Sequence, residues 1–481
     1  MEKEKHLKGQ STSEGKQAGE AVAAENKMGV MPCNRLILSM SVPIMISMLV
    51  QALYNIVDSI FVARLNENAL TAVSLAFPVQ SLMIAIMVGT GVGINARLSK
   101  KLGEGDRESV NRTAGNAIFL AFCNMLFFMI LGALFTGTFF RAQTQDVQII
   151  EYGIQYLSVV TLLCGGFAFQ VTFERLVQAT GQTLYSMLSQ GIGAIVNIIL
   201  DPIMIFGLFG FPRLGVTGAA LATVTGQWIA AMVGLALNLK RNPEIKFAPR
   251  YIRPVGYIIA DIYAVGIPSI IMQSIASVMT FGMNKILIVF SSTATAVFGV
   301  YFKLQSFVFM PIFGLNNGIV PMIAYNYGAR KPDRMRTIFK LGNIYSLCIM
   351  LAGTLLFYLG AEWLLSLFSA SEQMLVIGIP ALRTISLAFV LAGFNIICSS
   401  MFQALGHGMQ SLWISVIRQL IILLPAAFVF ANWKGLYAVW WAFPLAEIVA
   451  FILSNVFIRH IFRAEIEPLE REKEGAALHN S

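Results

Sequence analysis

Gly89-Thr90-Gly91-Val92-Gly93 and Gly314-Leu315-Asn316-Asn317-Gly318 decide the fold of this chain, because they are two copies of one site. They stand 225 residues apart (314 − 89 = 225). The same spacing relates Gln80-Ser81 to Gln305-Ser306, Gly103 to Gly328 and Gly153-Ile154 to Gly378-Ile379. It also relates Gln178-Ala179 with Gly181 to Gln403-Ala404 with Gly406. One offset held over so many glycines and glutamines marks a duplication. Within each copy the outer glycines are four residues apart, the small-residue spacing that lets apolar helices approach closely. The expected role of this motif is a sliding or hinge contact between the two halves.

Composition places those halves in a membrane. Of 481 residues, 57% are hydrophobic and only 12% charged, and the mean hydropathy is +0.71. A soluble domain carries about 25% charge, so this chain has a lipid-facing surface. A helix needs about 20 apolar residues to cross the hydrocarbon core. Such runs lie near 36–62, 69–95, 113–139, 153–174, 184–209 and 216–239, then near 257–290, 294–323, 337–360, 376–402, 411–431 and 436–461. The expected fold is therefore an all-α integral membrane protein with about twelve transmembrane helices in two pseudo-symmetric six-helix lobes. The expected division is a disordered tail over 1–34, an N-lobe over 35–240, a linker over 241–254, a C-lobe over 255–463 and a tail over 464–481. Six spans per repeat keep both halves in the same orientation, and two such halves around a shared site are the plan of secondary transporters.

Loop charges orient the chain. One set of loops holds Arg97, Lys100, Lys101, Arg107 and Arg112, then Lys240, Arg241, Lys246, Arg250 and Arg253. The second half adds Arg330, Lys331, Arg334, Arg336 and Lys340, whereas the opposite loops hold little beyond Arg64, Arg141, Arg213 and Lys434. Positive loops stay inside, so both termini are expected in the cytoplasm. Residues 1–34 are polar and charged and lack large aromatics, which reads as a disordered tail. That stretch is too long and charged to open a signal peptide. The linker stretch, with Pro243, Pro249, Pro254 and five basic residues over 240–254, is expected to slide as the lobes rock.

Several function classes find no support. The net charge of +9 sits in short clusters between apolar runs, which is a membrane pattern rather than a nucleic-acid patch. Five cysteines (Cys33, Cys123, Cys164, Cys348, Cys398) have neither disulfide nor metal-ligand spacing. There is no phosphate-binding Gly-x-x-x-x-Gly-Lys-Ser/Thr loop, no His-Glu-x-x-His pair and no Gly-x-Ser-x-Gly elbow. The chain is expected not to be an enzyme and to carry no cofactor.

Ionisable residues at membrane depth cost at least about 2.5–3.5 kcal/mol, so each is a functional candidate. Asp58 lies six residues before Arg64, Asp201 nine before Gly210, and Thr223 ten after Arg213, which places all three in the outer half of the N-lobe. Asn197 is one helical turn from Asp201 on the same face. Two carboxylates, an amide and a hydroxyl at matching depth suit a proton or a hard cation. Asp201 beside Pro202 also suits the cap of a broken helix, and threonines in spans often bond their own backbone. Glu174 and Arg175 read as an interfacial ion pair fixing a loop, and Arg418 as interfacial. Glu447 lies mid-span, free either to bind a cationic substrate or to pair with a C-lobe base. Lys285, Lys303 and Arg383 fall in the outer halves of C-lobe spans, and Lys285 suits snorkelling to the surface.

Several motifs in order carry a resemblance. Leu53-Tyr54-Asn55-Ile56-Val57-Asp58, Asn197-Ile198-Ile199-Leu200-Asp201-Pro202 and Gly218-Ala219-Ala220-Leu221-Ala222-Thr223 resemble the multidrug and toxic compound extrusion (MATE) family. So do Glu174-Arg175 through Gln178-Ala179-Thr180-Gly181, and Pro311-Ile312-Phe313-Gly314 through Tyr325-Asn326-Tyr327-Gly328. The likeness runs from about residue 35 to 463 and looks most like the bacterial branch that includes MepA-type drug pumps. It implies a V-shaped, cation-coupled exporter in a bacterial cytoplasmic (inner) membrane, working by alternating access. The coupling set it implies is Asp58, Asn197, Asp201 and Thr223, with H+ or Na+ as the ion and no other metal. The C-lobe lacks carboxylates matching Asp58 and Asp201, which departs from branches with an acidic C-lobe site and places coupling in the N-lobe.

Substrates are expected to be small amphipathic, cationic organic compounds in a central cleft. The cleft candidates are Gln51, Asn55, Lys303, Gln305, Arg383 and Asn395. The expected partners are small-molecule substrates and membrane lipid, with no nucleic acid, and the expected state is a monomer. The basic C-lobe lining keeps an alternative, a flippase for a lipid or lipid-linked oligosaccharide of the same superfamily.

Overall fold

The computed structural model describes residues 25–368 and 370–479. Its N-lobe comprises α1 (Cys33–Ala63), α2 (Glu67–Gly103), α3 (Arg107–Gln143), α4 (Val147–Leu162), α5 (Gly165–Ala179), α6 (Thr183–Phe206) and α7 (Val216–Arg241). The C-lobe comprises α8 (Gly256–Ile288), α9 (Ser292–Gly328), α10 (Pro332–Leu359), α11 (Glu372–Ser386), α12 (Phe389–Ala404), α13 (Gly408–Lys434) and α14 (Ala442–Ile461). Ten spans are single runs of helix, and α4 with α5 and α11 with α12 make two bent ones, at 44° and 45°. The sequence showed each bent span as one apolar run, because hydropathy is blind to helix direction.

The duplication is visible helix by helix. Helices α2 and α9 are both 37 residues long and start and stop at the same repeat positions. Different residues do the same capping at equivalent places. Asn66 and Ser291 each accept the amide three residues on, and Asp146 and Ser371 likewise cap α4 and α11. Gly181 and Gly406 both take positive φ (87° and 91°) just after α5 and α12. At about 1.5 Å per residue, α2 and α9 are roughly 55 Å long and outrun the hydrocarbon core.

We call the end that carries Cys33, Gly103 and Gly328 the lower end. Here the lobes join. Gly89 and Gly93 of α2 press on Ile270, Gly266 and Ile262 of α8, while Gly314 and Gly318 of α9 press on Met45 and Ser41 of α1. Gly103 meets Tyr325, and Gly328 meets Lys100. A β-carbon at any of these glycines would run into its neighbour, so the repeated glycine motif is the contact between the lobes. One buried apolar cluster spans both lobes at this end, uniting Leu36, Ile94, Leu98, Ile319 and Met322. Toward the upper end each lobe has a core of its own, around Phe128, Phe140 and Tyr156 in the N-lobe and around Phe298, Phe357 and Phe389 in the C-lobe. The lobes thus share one core below and keep separate cores above.

Three segments hold more structure than their composition suggests. Residues 25–34 of the expected disordered tail are ordered, while 1–24 lie outside the described residues. Asn26 caps a short helix, Lys27–Val30, and Met28 is fully buried. The linker is pinned rather than loose. Asn111 accepts the Lys246 amide (2.7 Å), Asn116 accepts the Val255 amide (2.9 Å), and Tyr251 is buried against Gly115. The C-terminal tail is helical over Glu467–His479, and its Glu470 and Glu472 pair with Arg336 and Arg330 of the C-lobe. Polar composition concealed all three, because their order comes from partners distant in sequence.

Candidate functional site

Small residues build the N-lobe site. Helices α6 and α7 approach through Gly193 and Gly226, where an added β-carbon would meet backbone across the gap. That closeness brings Asn197 of α6 to α7, where its Nδ2 lies 3.4 Å from Thr223 Oγ1 and 3.4 Å from Asp201 Oδ1. Asp201 and Asn197 are buried, and Asp58 arrives half-buried on α1, which packs along α6. Pro202 lies inside a helix that continues to Phe206, so Asp201 is not the cap of a broken helix. Thr223 is drawn into the cluster as an acceptor.

The unpaired atoms show what the cluster suits. Asp58 Oδ1, Asp201 Oδ2 and Asn197 Oδ1 are buried without a hydrogen-bond partner. All three are acceptors, and a buried acceptor without a donor is costly. Acceptor oxygens of this kind suit a proton or a small hard cation, which takes oxygen ligands. Below the cluster, Tyr54, Gln170, Gln190, Asn197, Thr223 and Gln227 line a small polar pocket. Gln170 and Gln190 were not among the expected site residues, nor were Tyr54, although it lies in the motif that ends at Asp58, and Gln227, the repeat counterpart of Glu447. The signal for Gln170 and Gln190 was helical spacing: Gln170 lies four residues before Glu174, and Gln190 seven before Asn197.

The other candidates scatter. Gln51 accepts from Gln190 of α6 (3.1 Å), whereas Asn55 is exposed on α1. In the C-lobe, Lys303 is exposed and Gln305 half-buried on α9. Arg383 is exposed, donates to the Tyr358 carbonyl (3.0 Å) and lies over that ring, so it reaches toward the end of α10. Asn395 instead donates to Glu447 (2.8 Å), which also receives Arg418 (2.8 Å).

Two expectations are corrected here. Arg418 is not interfacial, because it neutralises Glu447 within the C-lobe. Glu174 and Arg175 do not pair with each other: Glu174 accepts from Gln170 (3.0 Å), while buried Arg175 donates to Gln178 and, across the lobe boundary, to Asn317 (both 3.0 Å). Adjacent residues on a helix point about 100° apart, so sequence neighbours are poor partners.

Comparison with known proteins agrees with this architecture. The MatE family model matches residues 43–203 and 268–429, two stretches that begin one repeat apart. The chain is 28% identical over 420 residues to a "Multidrug export protein MepA" of Staphylococcus haemolyticus, covering 87% of this chain and 91% of that protein. Among solved structures it is similar to an outward-facing multidrug resistance MATE family transporter of the MOP superfamily. That similarity has a TM-score of 0.86 and 28% identity, over 94% of this chain and 100% of the other. It is also similar, at TM-score 0.82, 28% identity and the same coverage, to a MOP superfamily transporter from Pyrococcus furiosus, described as having a binding pocket of reverse polarity that suggests a different function.

Proposed function

The chain belongs to the MatE family, and from that membership we propose that it is a secondary active multidrug exporter driven by a proton or sodium gradient. The observation that carries the mechanism is the set of three unpartnered acceptor oxygens, on Asp58, Asn197 and Asp201, in the N-lobe of a molecule whose lobes keep separate cores above. We take the lower end as cytoplasmic, since the basic loops lie there, in a bacterial inner membrane. The cleft then faces outward. Amphipathic cations are the expected cargo and would be released from this state.

Coupling follows from charge. While empty, the two carboxylates attract both the coupling ion and a cationic guest. Once an external proton or sodium ion occupies them, the attraction for the guest is lost and release is favoured. The ion changes the state only through such differential affinity. For the lobes to rock, contacts at the lower end must break, including Arg97–Asp261 and Arg175–Asn317. The MepA resemblance and the outward-facing relative support the same cycle.

The flippase alternative leaned on a basic C-lobe lining for phosphate. Arg383 is held by the Tyr358 carbonyl, which weakens that lining and favours drug export. The deciding experiment is dye transport in proteoliposomes under an imposed pH gradient or an imposed sodium gradient, one at a time. Export of a cationic dye under one of them supports the reading. Transport only of a phosphate-bearing lipid would overturn it.

A further inference from the structure

Within the C-lobe, away from the carboxylate cluster, three polar side chains from three helices converge at mid-span. They are Asn395 on α12, Arg418 in a π-helical turn of α13 (Ile417–Leu423), and Glu447 on α14. Arg418 Nη1 donates to Glu447 Oε1 and Asn395 Nδ2 to Glu447 Oε2, both at 2.8 Å. Both carboxylate oxygens are thus engaged. Two atoms are left over: Arg418 Nε is a buried donor without an acceptor, and Asn395 Oδ1 a buried acceptor without a donor, on a residue only 4% exposed. Because Glu447 takes Nη1, the guanidinium keeps its Nε–Nη2 edge, the geometry with which arginine grips an oxyanion in bidentate fashion.

The repeat gives this cluster a meaning. Asn395 stands at the position of Gln170 and Arg418 at that of Gly193, both at the 225 spacing. Glu447 stands at that of Gln227, counted from Gly435 and Gly215. All three N-lobe counterparts line the small polar pocket beside Asn197 and Thr223. The same place in each lobe is therefore polar, and only the C-lobe has made it ionic. An ion pair at this depth is seldom kept for stability, since apolar packing does as well, and charge within a span marks function by default. The π-turn that holds Arg418 is a device found mostly at functional positions.

We propose that Arg418 and Asn395, with Glu447 beneath them, form a C-lobe subsite for the zwitterionic group of an exported compound. Its oxyanion lies on the Nε–Nη2 edge of Arg418, and its N–H group donates to Asn395 Oδ1. Charge selects this class. The existing pair is neutral, so a lone anion or cation would leave a net buried charge, whereas a zwitterion leaves none. The rings of Phe298, Tyr301 and Phe443 pack at 5.9–6.1 Å, the first two within the C-lobe core, and half-buried Phe443, one turn from Glu447, offers an apolar face to an aromatic body. The inference rests on the reading of the chain as an exporter.

The test uses one fluorophore in two charge states: a rhodamine with a free carboxylate, and its methyl ester, a plain cation. Equilibrium binding of each is measured on the purified full-length protein in nanodiscs. Arg418→Lys keeps the charge beside Glu447 but removes the fork. It should weaken the carboxylate form about tenfold or more, the worth of one charge-assisted hydrogen bond, with little change in the ester. The double variant Arg418→Met/Glu447→Gln removes both charges together and should give the same selective loss. It also decides the matter if the lysine variant does not fold. Equal losses for acid and ester, or no loss for either, would overturn the subsite and leave the ion pair a packing element. Failure of the wild type to export the ester in energised proteoliposomes would overturn the exporter reading instead, and selective loss of acid binding would still stand.

Discussion

Asn326 of the C-lobe donates its side-chain amide to the backbone carbonyl of Met28, 3.0 Å away and nearly three hundred residues earlier in the chain. The short segment around Met28 is held from both sides. Asn26 donates to the Thr180 carbonyl of the N-lobe (3.1 Å) and to Glu244 of the linker (2.9 Å). Arg334 donates to the carbonyls of Met28 (3.0 Å) and Met31 (2.7 Å), and Lys331 pairs with Glu25. The segment thus straps the two lobes together where they meet.

Removing the strap should favour separation of the lower ends. Arg334→Ala deletes two charge-assisted bonds to the strap and a third to Asn326, each worth about 1.5–3 kcal/mol at most. The expected outcome is a shift of tenfold or more toward the form open below. Spin-label distances between the exposed lower ends of α3 and α10 would lengthen. An unchanged distance distribution would show that the strap carries no energy.

Gly93→Ala places a methyl group against the Ile262 carbonyl, and Gly318→Ala places one against Ser41. Overpacking of this kind costs about 1–3 kcal/mol. Each variant should fold as two lobes yet lose the closed lower contact and most export. The same spin-label measurement reads the contact. Alanine at Gly191, which has open space around it, should have no effect.

Asp58→Asn and Asp201→Asn should abolish ion-driven dye export and leave expression and thermal stability near wild type. The amide keeps the shape but neither takes up a proton nor offers a charge to a cation. Asn197→Ala removes the group 3.4 Å from both Asp201 and Thr223 and should weaken coupling less severely. Gradient-driven transport at wild-type rate in both aspartate variants would sink the coupling assignment.

His407, in the turn between α12 and α13, is held by Glu465, which raises its pKa above the usual 6.5; partial burial opposes this. A raised pKa means that the protonated form is the one the fold favours. The contribution is fully present below about pH 6.5 and is lost as pH rises through the folded value. The pair is about a third exposed, so screening limits it to about 1 kcal/mol or less. The melting temperature of wild type should therefore fall slightly more than that of Glu465→Gln as pH rises from 6 to 8.5. Parallel curves would exclude the pair as a pH-dependent contact.

Much of the molecule could be read from the chain because the bilayer and the duplication impose simple rules. A run of about twenty apolar residues at each crossing is required wherever backbone must leave water. Gly89, Gly93, Gly314 and Gly318 were legible as a lobe contact because close helix approach admits little else. Asp58, Asn197, Asp201 and Thr223 stood out by depth and motif, and the structure brings Asn197, Asp201 and Thr223 within hydrogen-bond reach.

Direction was not legible. The bends between α4 and α5 and between α11 and α12 leave no trace in hydropathy. The partners of Arg175, Arg383 and Arg418 were not legible either, because a charged side chain in a span takes whichever partner the facing helix presents. The sequence by itself determined the number of crossings, the duplication and the acidic residues that must be satisfied within the membrane, since those are one-dimensional properties of composition and spacing. Only the tertiary structure decided which lobe end is shut, that residues 25–31 strap it, and that Arg418 neutralises Glu447. Those outcomes depend on contacts between segments hundreds of residues apart, and local chemistry alone leaves such contacts open.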